Sequence, residues 1–373
     1  MTSTDALVIG GGIAGASIAY ALSEHMDVLL VEQESTLAYH TTGRSAAQYF
    51  ENYGAQGARS LTKASRSFLE HPPEGLVDWP LMTPRGALIV GREDQRDAIN
   101  AAAELGNATN SQIRLVGAEE VVAMVPVLRS PHAVAGVWEP GAAELDVAAL
   151  HQAFIRGARR NGSQIRTSAP ATRFTRQSGQ WVVTVGDEEV RARFIMNAAG
   201  AWGDVVATRA GVRPIGLTAH RRTVFMASGV EGSRLWPLVV NVGDEYYFKP
   251  DGEQILCSLS DESPSEPCDA RPVDLDIALA IERINEATTL NIRSVRSSWA
   301  GLRTFADDRE MVIGFDPDVE GFFWYVGQGG TGIQTSPAAA TLAAGLIVEG
   351  AVPKRLLEFG VDASVMNPGR LRR

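Results

Sequence analysis

The 373-residue chain has only two cysteines, Cys257 and Cys268. That is too few for a disulfide framework or a thiolate metal site. Its six histidines form no H-x-x-x-H pair, so zinc-hydrolase chemistry is not expected and no metal site is assigned. Basic charge is scarce: 34 Lys and Arg stand against 44 Asp and Glu, a formal net charge of -10. Nucleic acid and anionic membrane surfaces call for basic patches, so neither is expected as the main partner. The short basic end, "GRLRR", reads as a solvated terminus. No apolar run reaches the roughly eighteen residues that would suggest a membrane-spanning helix. The opening "MTSTDALVIGGGIAG" has neither a basic n-region nor a clean apolar h-region. No signal peptide is expected, and the expected location is cytoplasmic. Neither an internal repeat nor a low-complexity linker is visible.

What is present is an ordinary globular composition, 45% apolar and 21% charged, on a chain long enough for two domains. The stretch "DALVIGGGIAGASIAYALSEHMDVLLVE" holds an apolar strand, a glycine turn, a helix over Ile13–Glu24 and a second apolar strand. Gly10, Gly12 and Gly15 make G-x-G-x-x-G. Such glycines allow a tight turn and let a pyrophosphate approach the helix N-terminus. Glu32 ends the second strand, twenty residues past Gly12, where a carboxylate accepts from a ribose hydroxyl. An acid there disfavours a 2'-phosphate, so NADP is the least expected dinucleotide. The fingerprint alone does not choose between NAD and FAD. The next segment, "YHTTGRSAAQY", offers hydroxyls, amides and Arg44 to a longer cofactor, although Arg44 taken alone also reads as a solvated loop charge. Ser45 suits a helix N-cap, which predicts a short helix over "RSAAQY".

Further on, helices are expected over 54–70 and 93–104, and after Asp146, which caps "VAALHQAFIRGARRNG" up to Gly162. The segment "RFTRQSGQWVVTVGDEEVRARFIM" alternates as a small β-meander. "FIMNAAGAWGD" is a buried strand entering small residues, a second point of close backbone approach. Residues 221–261 are β-rich, "DLDIALAIERINEATT" is one helix, and "GFFWYVGQGGTGIQTSPAAATLAAGLIVEG" is an aromatic strand, a glycine turn and a helix closed by Gly350. The expected fold class is α/β. A Rossmann-like FAD-binding domain with a glutathione-reductase-type dinucleotide site is assembled from 1–80, 145–220 and 300–373. A β-rich substrate domain is inserted from 81–144 and 221–299. Pockets favour the interface between two such domains.

Taken together, "LVIGGGIAGASIAY", "VEQES", "YHTTGRSAAQY", "LDVAALHQAFIRGARRNG", "NAAGAW", "YYFKPDG", "WAGLR" and "GFFWYVGQGGTGIQTSPA" resemble the FAD-dependent amine oxidoreductases of the D-amino-acid oxidase and glycine oxidase type. Among these the chain looks most similar to the bacterial D-arginine dehydrogenase kind, over nearly its full length. The resemblance implies a non-covalent FAD extended along the first domain. Gly10, Gly12, Ile13, Ala14 and Gly15 then face the pyrophosphate, with Glu32 and Gln33 at the adenosine ribose. Thr42, Gly43, Arg44, Ser45 and Ala46 line its middle and flavin part. Ala171 and Thr172 pass near adenine, and Ala199, Gly200 and Trp202 approach from "NAAGAW". Gly329, Gly330, Gly332, Ile333 and Gln334, with Arg303, sit near the isoalloxazine. The substrate residues implied are Tyr53, Arg222, Tyr247, Arg303, Gly330 and Gln334. Two positions depart from the D-arginine kind: Ala87 stands where an acid takes the guanidinium, and Gln48 where a histidine stands. An unpaired buried cation is costly, so the missing acid points to a neutral or apolar D-amino acid.

The residues fit that chemistry. An arginine's planar fork pairs with both oxygens of a carboxylate. Strand alternation allows only one of Arg221 and Arg222 to face a pocket, and likewise one of Tyr246 and Tyr247. Tyr53 and Tyr247 can bond the same carboxylate, and Gly54 and Gly57 suggest a lid over 48–56. The expected reaction is oxidative deamination. A hydride leaves the α carbon for flavin, no side-chain base is required, and water hydrolyses the imine to a 2-oxo acid and ammonium. The expected enzyme is a D-amino-acid dehydrogenase passing electrons to a quinone or another acceptor, with transient membrane association. An oxidase, a glycine, sarcosine or other secondary-amine oxidase, a 2-hydroxy-acid oxidoreductase and a non-enzymatic flavoprotein subunit stay open, as does oligomeric state.

Overall fold

A computed structural model of the protein describes residues 2–110 and 112–372. The apolar runs near the N-terminus and near residue 324 are buried on both faces, which is what a parallel sheet covered on each side requires. Five strands run parallel in the order Gln164–Arg166, Val28–Val31, Thr2–Ile9, Glu188–Asn197 and Phe322–Val326. Alternation divides their side chains between two cores. Ala6, Val8, Val28 and Leu30 meet the helices Ile13–Ser23, Val147–Arg160 and Gly332–Val348. Leu7, Ile9, Leu29 and Val31 meet Trp181, Val183 and Val206 on the other side.

The expected meander is present as Ala171–Gln177, Gln180–Val185 and Glu188–Asn197, paired antiparallel. Thr2–Ile9 therefore lies between Val28–Val31 and Glu188–Asn197, and the three strands end together at Ile9, Val31 and Asn197. Ligands of open parallel sheets bind outside such carboxyl ends.

A second, nine-stranded sheet carries Thr218–Ser228, Leu238–Asn241, Tyr247–Asp251 and Ala87–Gly91 among its strands. Ser297–Phe305 pairs with Thr218–Ser228 over its whole length, so a division at 300 cuts this strand and the crossover back to the first sheet falls after Phe305. A third sheet joins Gln48–Tyr49, Ala143–Leu145 and Met82–Pro84.

Two local expectations are corrected. No helix starts at Ser45. A 3-10 turn over Thr42–Arg44 ends there and Ser45 is extended. Pairing with Ala143 and Glu144 draws Gln48 and Tyr49 into a strand, and the Trp299 indole donates to the Arg44 carbonyl (2.9 Å). The helix expected from Glu93 begins as a 3-10 turn over Glu93–Gln95, and its α-helical part is Arg96–Thr109. Asp146 caps its helix as the sequence suggests, accepting from the Ala149 N–H (2.8 Å).

Candidate active site

At the carboxyl ends of the parallel strands lies a cavity of about 440 Å³ that continues to the second sheet. The glycine turn forms its floor. Gly10 has φ +109°, and a Cβ there would stand 2.6 Å from the Ala198 carbonyl oxygen. A Cβ on Gly15 would stand 1.8 Å from the Gly10 oxygen, so Gly15 sits beneath the cavity and lets helix and turn touch. Thr42 Oγ1 accepts the Ile13 N–H (2.9 Å), serving as a cap supplied from a distant loop. The N–H groups of Gly12 and Ala14, both on the cavity wall, have no partner among the described residues. Donors of this kind at a helix start suit a phosphate. Glu32 is held by the N–H groups of Gly11 (2.6 Å) and Glu34 (2.9 Å) at the edge of the same cavity.

Most of the residues implied by the resemblance line this one cavity: Gly10, Gly12, Ile13, Ala14, Glu32, Gln33, Thr42, Arg44, Ser45, Ala46, Ala171, Ala199, Gly200, Trp202, Gly329, Gly332 and Ile333 along the cofactor path, and Gln48, Tyr53, Arg222, Tyr247, Arg303, Gly330 and Gln334 at its far end. Gly15, Gly43, Ala87 and Thr172 do not line it. A Cβ on Gly43 would meet the Ala38 oxygen at 2.4 Å, so Gly43 serves a tight turn. Thr172 is exposed on the meander, where its hydroxyl bonds the Thr184 carbonyl (3.4 Å). Ala87 is fully buried among Phe50, Leu238 and Tyr247, on the strand face that also carries the cavity-lining Ile89.

Three lining residues have heads already engaged. The Arg44 guanidinium pairs with Asp269 (2.5 Å) and donates to the Ala270 carbonyl (3.0 Å), tying the turn to the second domain. Gln334 accepts the Phe50 N–H (2.9 Å) and donates to the Phe50 carbonyl (3.2 Å) and Thr62 Oγ1 (2.9 Å). Its amide is consumed, so it positions the loop and does not read substrate. The Gln48 amide donates to the Ala143 carbonyl (3.1 Å) and accepts from Lys249 Nζ (3.1 Å), which also pairs with Glu144.

At the far end of the cavity, among the described residues, the guanidinium groups of Arg222 and Arg303 keep free donors. Arg222 lies opposite Gly301 and Arg303 opposite His220 on paired strands, so both arginines share one face on a diagonal. Arg222 donates through Nε to the Asp261 carbonyl (2.6 Å) and through Nη2 to Glu262 (3.4 Å). Arg303 donates to the Tyr53 hydroxyl (3.0 Å). Arg222 Nη1 and Arg303 Nη2 have no partner among the described residues. Burial, and then the charge of Arg303, push the Arg222 pKa below its ordinary value. A Cβ on Gly330 would stand 3.0 Å from the Tyr53 hydroxyl and 3.1 Å from Arg303 Cζ, so only glycine gives the pair this room. Alternation holds: Arg221 pairs with Asp276 (3.3 Å), and Tyr246 is buried in the second-domain core while Tyr247 lines the cavity.

Phe50, Ile89, Val224, Leu238 and Val240 add apolar lining to the same cavity, alongside the polar Asn52, Asn241, Asp244 and Ser260. The loop over 48–56 is pinned from beneath by Gln334 and by Glu139, which accepts the Glu51 N–H (2.6 Å). Gly57 is no hinge, since it lies in the helix Gln56–Glu70 with its N–H on Glu310 (3.0 Å).

Sequence reasoning missed several residues. His151 bonds the Gly11 carbonyl through Nε2 (2.9 Å), bracing the glycine turn from below, and burial lowers its pKa so that the neutral donor is retained. His40 lines the cavity against Trp202 (ring centroids 4.6 Å apart), and its buried Nδ1 has no partner among the described residues. Asp244 lines the entrance. Only His40, which lies within "YHTTGR", carried a local signal.

Glu139 supplies a test of the loop support. Burial raises its carboxyl pKa to about 8, and its Oε2 has no partner among the described residues. The folded state thus holds a proton that the unfolded state releases near pH 4.5. The resulting stability is complete below that value and is lost as pH rises through about 8, a span of ~2–5 kcal/mol. Glu139→Gln keeps an acceptor for the Glu51 N–H and removes the titration. Thermal melts from pH 6 to 9 should show a clearly smaller fall in Tm for the variant. Equal falls would refute the assignment.

The glycine turn, the unpartnered N–H groups and the strand-end acid beside an amphiphilic cavity define a dinucleotide-dependent redox protein. Residues 5–346 match the DAO family, described as FAD dependent oxidoreductase, and the chain belongs to that family. Its cofactor is FAD, held without a covalent bond. Among similar proteins, FAD-dependent oxidoreductase domain-containing protein 1 of Bos taurus is 23% identical over 93% of this chain and 82% of its own. Human mitochondrial sarcosine dehydrogenase is 22% identical over 96% of this chain, which spans 41% of that protein. Among solved structures, L-proline dehydrogenase from P. horikoshii superposes with a TM-score of 0.88 over 100% of this chain and 98% of its own, at 18% identity. These matches show the family and the fold, and do not single out the D-arginine dehydrogenase kind.

Proposed function

We propose that the protein oxidises the C–N bond next to a carboxylate in a small amino acid, with a secondary amine such as an N-alkyl glycine or a cyclic imino acid as the preferred substrate. The carrying observation is the pair of like-charged, partly desolvated guanidiniums with unpaired donors on one face of one strand pair. Burial and the neighbouring Arg303 charge disfavour the Arg222 cation, a substrate carboxylate offsets this, and the Tyr53 and Tyr247 hydroxyls supply further bonds to the same group. The phobic wall of Phe50, Ile89, Val224, Leu238 and Val240 takes an alkyl group without demanding a charge. The sarcosine and proline dehydrogenases to which the chain is similar are named for secondary amines that carry a carboxylate.

FAD, when bound, accepts the hydride that leaves the α carbon. The chain's own residues orient and desolvate. Arg222 and Arg303 fix the carboxylate, Gly330 leaves space for it, and Gln334 holds Phe50 over the substrate. The Gly330 carbonyl, which accepts from no group among the described residues, receives an amine N–H. Loss of the amine proton and the hydride leaves an imine or iminium, which water hydrolyses to a carbonyl compound and an amine. A quinone-type carrier takes the electrons in this reading.

The same wall also suits the side chain of an apolar D-amino acid, which is the second reading. Anaerobic bleaching of bound flavin separates the two. Sarcosine or proline should reduce the flavin at least tenfold faster than D-leucine at equal concentration. Bleaching by D-leucine with none by any secondary amine would overturn the first reading in favour of the second. Bleaching by no amino acid would remove both.

A further inference from the structure

The turn joining Leu238–Asn241 to Tyr247–Asp251 carries an acid into the cavity entrance. Asp244 lines the cavity and is exposed, and its carboxylate has no hydrogen-bond partner among the described residues. Its backbone has φ +53°, a conformation uncommon outside glycine, asparagine and aspartate. Such a residue persists when its surroundings over-determine it, and here they do. Asn241 and Gln95 exchange amide hydrogen bonds (3.2 and 3.3 Å), and Asn241 Oδ1 also accepts the Gly243 N–H (2.8 Å). On the other side of Asp244, Glu245 is clamped by both terminal nitrogens of Arg92 (2.6 and 2.8 Å). These contacts fix the backbone of the turn, and with it the point from which the Asp244 side chain extends. Partial burial raises the pKa of this carboxyl and the negative charge of Glu262 adds to the rise, while the positive charges of Arg222, Arg303 and Arg309 oppose it.

We propose that Asp244 is the charge-selecting residue of the entrance: it admits ligands with one carboxylate and a neutral or cationic remainder, and turns away those with a second carboxylate. The inference rests on the reading that Arg222 and Arg303 seat a carboxylate. Once that group occupies Arg222 and Arg303, and with Arg309 held by Glu262 (2.9 and 3.1 Å), a second anionic group on a small ligand meets the Asp244 charge. Discrimination by a placed repulsion requires no loss of affinity for the accepted ligand.

The test is binding, read from the perturbed visible spectrum of the flavin in the holoprotein. Acetate and propionate serve as monocarboxylates, malonate and succinate as dicarboxylates. Asp244→Asn and Asp244→Gly both tolerate a positive φ and both remove the charge. In each variant the dicarboxylate Kd should tighten at least tenfold, while the monocarboxylate Kd moves by less than threefold. In the wild type, raising ionic strength should narrow the gap between the two classes, because an exposed charge is screened. A dicarboxylate that gains no more than a monocarboxylate, a gain in one variant alone, or a gap insensitive to salt would each overturn the proposal. If the wild type binds no monocarboxylate, the arginine reading fails and the proposal falls with it. If monocarboxylates bind and the preference does not shift, only the role of Asp244 is lost.

Discussion

Gly15→Ala should yield a folded but colourless protein, with FAD affinity reduced at least a hundredfold. The added methyl carbon would lie 1.8 Å from the Gly10 carbonyl oxygen, well inside van der Waals contact. No side-chain rotation relieves this, because the obstructing atom belongs to the backbone. Helix and turn must separate, and Gly10 is already held at φ +109° against the Ala198 carbonyl. Overpacking of this sort costs about 1–3 kcal/mol or more in a close-packed interior. Here the displacement also misaims the free N–H groups of Gly12 and Ala14, so the loss concentrates in cofactor binding. Gly117→Ala is the control: nothing lies within 4 Å of its added methyl, and Gly117 does not line the cavity. The flavin-to-protein ratio after purification, followed by titration of stripped protein with FAD, measures both. A yellow, stoichiometric Gly15→Ala protein would show that the turn does not form the cofactor floor.

That floor was legible in the sequence because its signals are local. Glycine spacing, a helix start and a strand-end acid all fall within residues 10–32. Strand alternation likewise put Arg221 and Arg222, and Tyr246 and Tyr247, on opposite faces, since period two is a property of the strand itself, and the family resemblance chose which of each pair meets the substrate. The errors have the opposite character. Ser45 offers a sound helix cap, yet pairing of Gln48 and Tyr49 with Glu144 and Ala143 overrides it from almost a hundred positions away. Gln334 sits in a glycine-rich end segment that reads as cofactor-facing, but its amide is taken by Phe50, 284 positions distant. Ala87 shares a strand face with Ile89, but Phe50, Leu238 and Tyr247, brought from distant positions, cover its short side chain.

The supporting residues were illegible for the same reason. His151 reaches the Gly11 carbonyl across 140 positions, and Glu139 reaches the Glu51 N–H across 88. Each lies on an element whose own pattern is ordinary: a buried helix face for His151, a strand end for Glu139. Nothing in the spacing of either element reports which backbone group the fold will bring opposite it. Asp244 is the intermediate case. Its "VGDEY" context announces a turn, but the clamp that fixes its direction comes from Arg92 and Gln95.

Arg222→Ala should raise the substrate KM, and the Kd of acetate, by 30-fold or more, with the larger part of the effect in binding. Arg222 is 9% exposed and already spends Nε on the Asp261 carbonyl, so Nη1 is its aimed donor toward the cavity. Removing a buried, charged partner of a seated anion costs ~2–5 kcal/mol. Arg303 remains, which keeps some affinity and prevents complete loss. Arg222→Lys should recover only part, because an ammonium lacks the planar fork and cannot both hold Asp261 and reach the ligand. Arg221→Ala separates this from a general charge effect. Arg221 is one residue away with the same charge, but it points to Asp276 on the opposite face. Its removal should leave KM within threefold. If Arg221→Ala and Arg222→Ala weaken acetate equally, the protein's overall field does the work and no clamp exists. If neither does, the carboxylate sits elsewhere and the shared face of Arg222 and Arg303 is not its seat.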